Sequence, residues 1–496
     1  MNKTSSKTKK LWKRIVAFTL LIPILFFSAI LIYVYSQQDA IVQSQVESLN
    51  LTMNGKIQVA DTHLEPFQNF PYVSIKIDHV QIFESKAENS AIILEVEDIY
   101  VGFKIQDLLR GNFDMQSLLI EEGFFNLVIH PDGSTNIQNA MALNESSEEE
   151  EEEGDAMDIH LKKIKLKNLD IHQLDETSNL DIETFIYWAK GGFNTKGEQI
   201  AAHIDTEFEM NIIDDGDTTY IKHKHFEFHT DLVFNEQTGL LTFEPSGLTM
   251  EHGDFDLSGT VDTKDDMNLN LEVKGTKPNF NMLIAFAPHD VVPVLERYQN
   301  AGKIFFNAEI KGQSLHGQMP YIEAVFGASE AYLENVERQK KIENMGFEGH
   351  FTNGKERKVE TMEFSLTNMT AKLEEGNFIG SIFVQNFTAP EIDMQLDADF
   401  DLDFLANFLN LTSIENPQGK VAMHLKFHDI INLDDPEQAL EELNQAYYSE
   451  IQIDDLSFTS SDLPAPLNDL DAHLIMKGDE AKLDKFNLVM GKSDLS

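Results

Sequence analysis

Cysteine is absent from this 496-residue chain, which excludes a disulfide framework, a thiolate metal site, a cysteine nucleophile and a lipid-modified cysteine. A chain exported to an oxidising compartment can do without thiols, so the absence agrees with export. Missing too are a Gly-rich phosphate loop, a nucleophile elbow and a zincin helix. No nucleotide-driven chemistry is therefore expected. The unbroken apolar runs of doubly buried parallel strands are lacking, and so is any set of helices able to cover a sheet. Basic residues are few, 38 against 84 acidic ones. Six of them, Lys3, Lys7, Lys9, Lys10, Lys13 and Arg14, stand ahead of every acid, so beyond Tyr35 only 32 face all 84, a net of −52. Such a body is repelled by nucleic acid and by anionic membrane surfaces.

One long apolar run is present. Ile15 to Tyr35, IVAFTLLIPILFFSAILIYVY, holds 21 residues without a charge. As a helix it rises roughly 31 Å, enough to cross a hydrocarbon core, and Pro23 is tolerated there. The basic segment 1–14 places the N-terminus in the cytoplasm and the rest on the far side. Trp12, Tyr33 and Tyr35 fit the aromatic belts at the two interfaces. A cleaved signal peptide is the competing reading, but the run is long for one and SQQDA is a poor cleavage site. Ala40 to Leu51 continues as a short helix with Ile41, Val42, Val46 and Leu49 on its apolar face.

From there, period-two alternation dominates. Val73, Ile75 and Ile77 share one face of YVSIKIDHVQIF. Ile92, Leu94 and Val96 follow in the next strand, which resumes after Glu97-Asp98 with Ile99, Val101, Phe103 and Ile105. Phe125, Leu127 and Ile129 precede a turn at Asp132-Gly133. These are half-buried antiparallel strands. The segment 36–143 is thus a first β segment, and 144–156 an acidic disordered linker around NESSEEEEEEGD, whose six consecutive glutamates repel one another. It lacks the ligand spacing of a calcium loop. Strands resume over 157–496, with turns at Gly239, Pro245-Ser246-Gly247 and Gly253. Short helices are expected between Asn279 and Gln299, broken at Pro288 and Pro293, in FLANFL, and at Pro436 to Leu440. Gly302-Lys303 and Gly419-Lys420 mark corresponding turns 117 positions apart, a sign of repetition. The pattern stops in mid-strand at GKSDLS, as at a cut. The fold class is mainly β: a transmembrane helix, then an elongated, antiparallel, trough-like sheet with a few short capping helices.

Chemistry-bearing clusters are few. In HKHFEFH, His223, His225, Glu227 and His229 share one strand face and Phe226 and Phe228 the other. His-x-His can chelate zinc, but a polar outer face with two inward phenylalanines accounts for the same pattern. Asp214-Asp215, Asp265-Asp266 and Asp454-Asp455 could be an acid and base of a hydrolase, yet turns are rich in aspartate anyway. The reading is a non-enzyme with no catalytic residue, cofactor or metal site.

The chain resembles the AsmA-like family of bacterial envelope proteins, the AsmA/TamB type within the bridge-like repeating-β-groove proteins. The likeness rests on the single N-terminal membrane helix and on three stretches. These are FQNFPYVSIKIDHVQI (Phe67 to Ile82), FDMQSLLIEEGFFNLVIHPDGSTNIQN (Phe113 to Asn139) and MLIAFAPHDVVPVLERYQNAGKIFFNAEIKG (Met282 to Gly312). The acidic insert departs from the family pattern, and the chain is shorter than the family's usual extent. The resemblance implies a single-pass inner-membrane protein with its bulk in the periplasm, serving outer-membrane biogenesis by carrying or shielding phospholipids. Acyl chains would lie on Val73, Ile75, Ile77, Ile92, Leu94, Val96, Phe125, Leu127, Ile129, Phe226 and Phe228. The alternative is a tether or assembly factor whose partners are outer-membrane assembly proteins.

Overall fold

The computed structural model describes residues 31–495 except 37, 41, 70, 109, 111–113, 143–160, 215–216, 219–220, 288–291, 316–317, 431–447 and 479. The acidic linker and the helix expected at Pro436 lie outside the described residues. So does most of the apolar run 15–35, of which residues 31–35 are helical. Among the described residues no helix is long and apolar enough to cross a membrane. The chain divides into two units, 1–231 and 232–496, each taken by itself below.

In the first unit, helical residues run to Thr52. Val42 and Val46 are half-buried as the pattern requires, but Leu49 is exposed, so the apolar face is narrower than expected. The strands are β1 (Lys56–Glu65), β2 (Val73–Phe83), β3 (Ile92–Phe103), β4 (Met115–Ile129), β5 (Lys163–Asp175), β6 (Leu180–Lys196), β7 (Gln199–Asp214), the stub β8 (Asp217–Thr218) and β9 (Lys224–Asn235), which leads into the second unit. From β1 to β8 neighbours pair antiparallel with one exception. β4 and β5 are parallel, Ser117 opposite Lys163 and Ile129 opposite Asp175. An all-antiparallel sheet is therefore corrected. The chain leaves the end of β4, forms the helix Asn136–Met141, and returns to the starting end only at Lys163, the long crossover that a parallel pair requires. Thr135 caps that helix in a reciprocal capping box with Gln138.

Alternation in this unit slips in step from strand to strand. In β2 the apolar positions are 73, 75 and 77, then 80 and 82; in β5 they are 164 and 166, then 169 and 171. The residues at the slip, His79, Glu122 and Asn168, adopt positive φ (48°, 57° and 51°). Registers match on both sides, for example Val80 with Val96 and Asp78 with Asp98, or Gly123 with Leu169 and Glu121 with Lys167. A slip in one strand alone would turn its apolar set to the other face. Made together, the slips bend the strands and leave one face apolar throughout.

The second unit holds β10 (Leu240–Met250), β11 (Gly253–Asp262), β12 (Asn268–Gly275), β13 (Gln299–Gly312), β14 (Tyr321–Asn335), β15 (Lys340–Thr352), β16 (Glu363–Leu373), β17 (Gly376–Gln385), β18 (Glu391–Asp401), β19 (Ile414–Ile430), β20 (Tyr448–Ser460), β21 (Leu467–Lys477), β22 (Glu480–Met490) and β23 (Ser493–Leu495). Each pairs antiparallel with the next. Three expected turns prove to be strand interior. Pro245 to Gly247 lie in β10, where the register slips between Phe243 and Ser246. Gly302 and Gly419 lie in β13 and β19, each at a bulge. Asp454-Asp455 is the other side of the second bulge, with Asp455 at φ 54°, and Glu330 takes the matching place opposite Gly302 with φ 50°. The repetition is genuine, since each glycine follows a helix-bearing connection: Asn281–Ile284 with Val292–Leu295, and Leu402–Phe408. A Cβ on Gly419 would stand 2.5 Å from the Leu456 Cα at a φ of 104°, so no other residue fits.

The ends of three strands in the first unit are pinned by His130. Its Nδ1 lies 3.0 Å from Glu176 and its Nε2 3.3 Å from Glu84, while Asn139 Nδ2 donates to Glu84 at 2.9 Å. The contact with Glu176, followed by that with Glu84, raises the imidazole above its ordinary range against the effect of burial. Such a group stabilises fully below about pH 6.5 and loses its contribution as pH rises through the raised folded value. His130→Asn should therefore destabilise the chain near pH 5.5 and much less near pH 9, as read by urea unfolding at both. Gly419→Ala should cost about 1–3 kcal/mol in the same assay. Gly192→Ala, where a Cβ meets open space, should be close to neutral.

Candidate functional site: the apolar sheet face

The in-step slips build a face of rows running across the strands. In the first unit, one row joins Ile75, Val101, Leu118 and Ile164; beyond the slip, another joins Ile82, Leu94, Phe125 and Ile171. The intervening side chains, such as Lys163, Lys165, Lys167 and Asp170, are exposed, whereas Ile164, Leu166 and Ile171 are half-buried. Half burial is what a one-layer sheet leaves on an apolar side that none of the described residues covers.

Each residue expected on this face has a definite position. Val73 and Ile75 are buried in a cluster with Val34, Phe103 and Leu108, and Ile77 packs against it. The N-terminal helix and the short helix Ile105–Leu108 thus cap that end of the face. Asn50 holds the helix to β1, its Nδ2 donating to the Ile57 carbonyl at 2.9 Å and its Oδ1 accepting from the Ile57 amide at 2.7 Å. Val96 is fully buried opposite Val80 and Gly123, and a Cβ on Gly123 would come within 2.7 Å of the Val96 Cα. Leu94, Phe125, Leu127 and Ile129 are half-buried. Ile92 is opposite Phe83, beyond a register slip, and stands off the row that Leu94 shares with Ile82. Phe226 and Phe228 are half-buried and alternate with exposed Glu227 and His229; the Phe226 ring stacks on Phe208 of β7 at 5.0 Å.

The second unit carries a counterpart that the initial choice of residues omitted. Val273, Ala308, Ala324, Phe351, Phe364 and Val384 form one continuous row. Phe306 and Phe326 form a stacked series that ends on Phe364 of this row, at 6.4 and 6.2 Å. Gly349 makes this possible: the Phe326 ring occupies the space its side chain would need. Here too short helices cap an end. Met282 and Ala285 are buried over Gly275 and Gly253, and Phe404 and Phe408 are packed with Leu373, Tyr298 and Phe378. The signal for these rows was present in KIFFNAEIKG and its neighbours as plain alternation.

The opposite faces are polar and pair their excess acids with cations. Lys76 bridges Asp78 at 2.8 Å and Asp98 at 2.7 Å, contacts that drive its pKa strongly upward. The three histidines of HKHFEFH do not converge. His223 faces Glu209 at 2.7 Å, His225 faces Glu207 at 3.5 Å, and His229 faces Asp205. In the second unit His350 meets Glu323 at 3.2 Å and His473 meets Glu450 at 2.9 Å. A hollow of about 760 Å³ in the second unit has a mixed lining, with Phe378, Ile379, Ala398 and Met423 beside Asp397, His424 and Glu450.

Among the described residues the aspartate pairs are engaged in turn and strand contacts. Asp265 sits in the turn after β11, accepting from Asn268 at 2.8 Å and Gln313 at 2.7 Å, and these bonds hold it below the ordinary carboxylate range. A general acid needs the opposite displacement. Asp454 accepts from Gln452 at 2.7 Å within a strand. Asp215 is outside the described residues.

No functionally curated protein and no solved structure matches the chain. The family model described as the AsmA family matches residues 8–281, more than half of the sequence, and the chain belongs to that family.

Proposed function

We propose that this chain is a non-enzymatic, single-pass protein of the bacterial inner membrane. Its bulk lies in the periplasm, where it serves outer-membrane biogenesis by carrying or shielding phospholipids. The observation that carries the reading is the half-buried apolar face in each unit, kept continuous through the bulges and, among the described residues, capped by helices only at its ends. An acyl chain laid along such rows gains about 0.8 kcal/mol for each methylene removed from water, and the headgroup stays at the polar rim. Transport on this surface is passive, its direction set by partners or gradients.

The anchor is the run 15–35. Tyr33 and Tyr35 are half or more exposed (50% and 65%), as suits side chains that meet an interface, while Val34 between them is buried against the first apolar row. That row therefore begins where the membrane ends. A tether for outer-membrane assembly proteins uses the same anchor but leaves the apolar face without lipid.

Photo-crosslinking in cells distinguishes these uses. A photoreactive residue at Phe228 or Phe364 should capture phospholipid, and the same residue at the neighbouring His229 or Ser365 should not. Phe125→Asp should lower the phospholipid that co-purifies with the full chain several-fold, by mass spectrometry. Equal crosslinking from both faces, or adducts to outer-membrane assembly proteins without lipid, would sink the lipid reading.

A further inference from the structure

The polar face of the first unit brings together four side chains that the sheet places on two adjacent strands. His203 and Asp205 are two apart on β7, and His229 and Asp231 are two apart on β9, which lies beside it. His203 directs Nδ1 to Asp231 at 2.8 Å and Nε2 to Asp205 at 3.3 Å. His229 Nδ1 meets the other oxygen of Asp205. The two imidazoles lie edge to face with centroids 4.8 Å apart. One donor atom each from His203, Asp205 and His229 falls within 4.8 Å of the others.

We propose that His203, Asp205 and His229, with Asp231 as a fourth donor or an orienting carboxylate, form a site for a zinc-class divalent cation. Two imidazoles and a carboxylate are a donor set for zinc or a neighbouring transition metal, whereas calcium and magnesium take oxygen alone. Zinc bonds of about 2.0–2.2 Å put tetrahedral donors about 3.4 Å apart. The observed spacing closes to that by small rotamer adjustments, and these side chains are free to make them. His203 and His229 are 46% and 64% exposed. Lys190, opposite Asp205 in the register, lies 4.7 Å above the Trp188 ring. With neutral imidazoles the four groups carry two negative charges, which one divalent ion balances. The bound ion ties β7 to β9 on the face opposite the apolar rows, so lipid and metal do not compete.

The site differs from the pattern legible in HKHFEFH. Only His229 of that run takes part, and its partner His203 lies twenty-six positions earlier in AAHIDTEF. Across the same face, His223 and His225 are engaged with Glu209 and Glu207. The group Asp455, Asp469 and Asp471 in the second unit is acidic only and offers no imidazole.

The test uses the full chain in detergent, freed of affinity-tag histidines, stripped with a chelator and titrated with zinc sulfate against a chromophoric indicator. One equivalent should be withdrawn from the indicator. His203→Gln and His229→Gln should each weaken it at least tenfold, and His350→Gln should leave it unchanged. Circular dichroism establishes that the variants fold, and zinc X-ray absorption of the wild-type chain should show two imidazole nitrogens in the shell. Zinc left with the indicator, retained by the double His203→Gln/His229→Gln variant, or lost equally in His350→Gln overturns the proposal.

Discussion

A sheet that is apolar on one side and, among the described residues, has no second layer to cover it is the constraint on which the rest of this protein depends. In a sandwich, two such faces close on each other and form a core. Among the described residues each unit has only short helices to offer, and these reach no further than the ends of the rows. The remaining apolar surface is managed locally. Side chains cover one another along the rows, and phenylalanine rings lie over glycines, as Phe326 does over Gly349. What stays uncovered is continuous, and a continuous apolar surface on a protein calls for an occupant.

Continuity is a matter of register as much as of composition. Strands this long must bend, and a bulge is the available device. An isolated bulge would scatter a strand's apolar residues between both faces. Here the first unit repeats the slip in neighbouring strands at the same level, with His79, Glu122 and Asn168 accepting positive φ. The second unit uses Gly302 and Gly419 against Glu330 and Asp455. The backbone strain of those residues is the counterpart of an unbroken row.

Charge is handled on the other side. The heavy acidic excess would repel itself on a flat sheet, but lysines and histidines are interleaved among the carboxylates on neighbouring strands. Lys76 between Asp78 and Asp98 is one case and His130 between Glu84 and Glu176 another. These contacts are partly solvated, so each stabilises modestly; together they allow one face to remain acidic and soluble while the other remains apolar.

The sequence by itself determined the class of the fold, because period-two alternation depends only on the geometry of a strand. It also indicated which face of β2 to β4 is apolar, the short helices between Asn279 and Gln299, and the repeated element spacing that ends in Gly302 and Gly419. The family likeness was legible in the same stretches. Other features were decided only by the tertiary structure, since they depend on which strand becomes whose neighbour. Alternation reads the same for parallel and antiparallel pairs, so the parallel β4/β5 pair was hidden. A glycine followed by lysine looks like a turn until the opposite strand approaches it, which is why two bulges and the Asp454-Asp455 step were misread. Val73 and Ile75 gave no sign that a helix would cover them. His203 met His229 only because β7 and β9 lie side by side, a juxtaposition that hydrogen bonding between distant segments creates and local pattern does not encode.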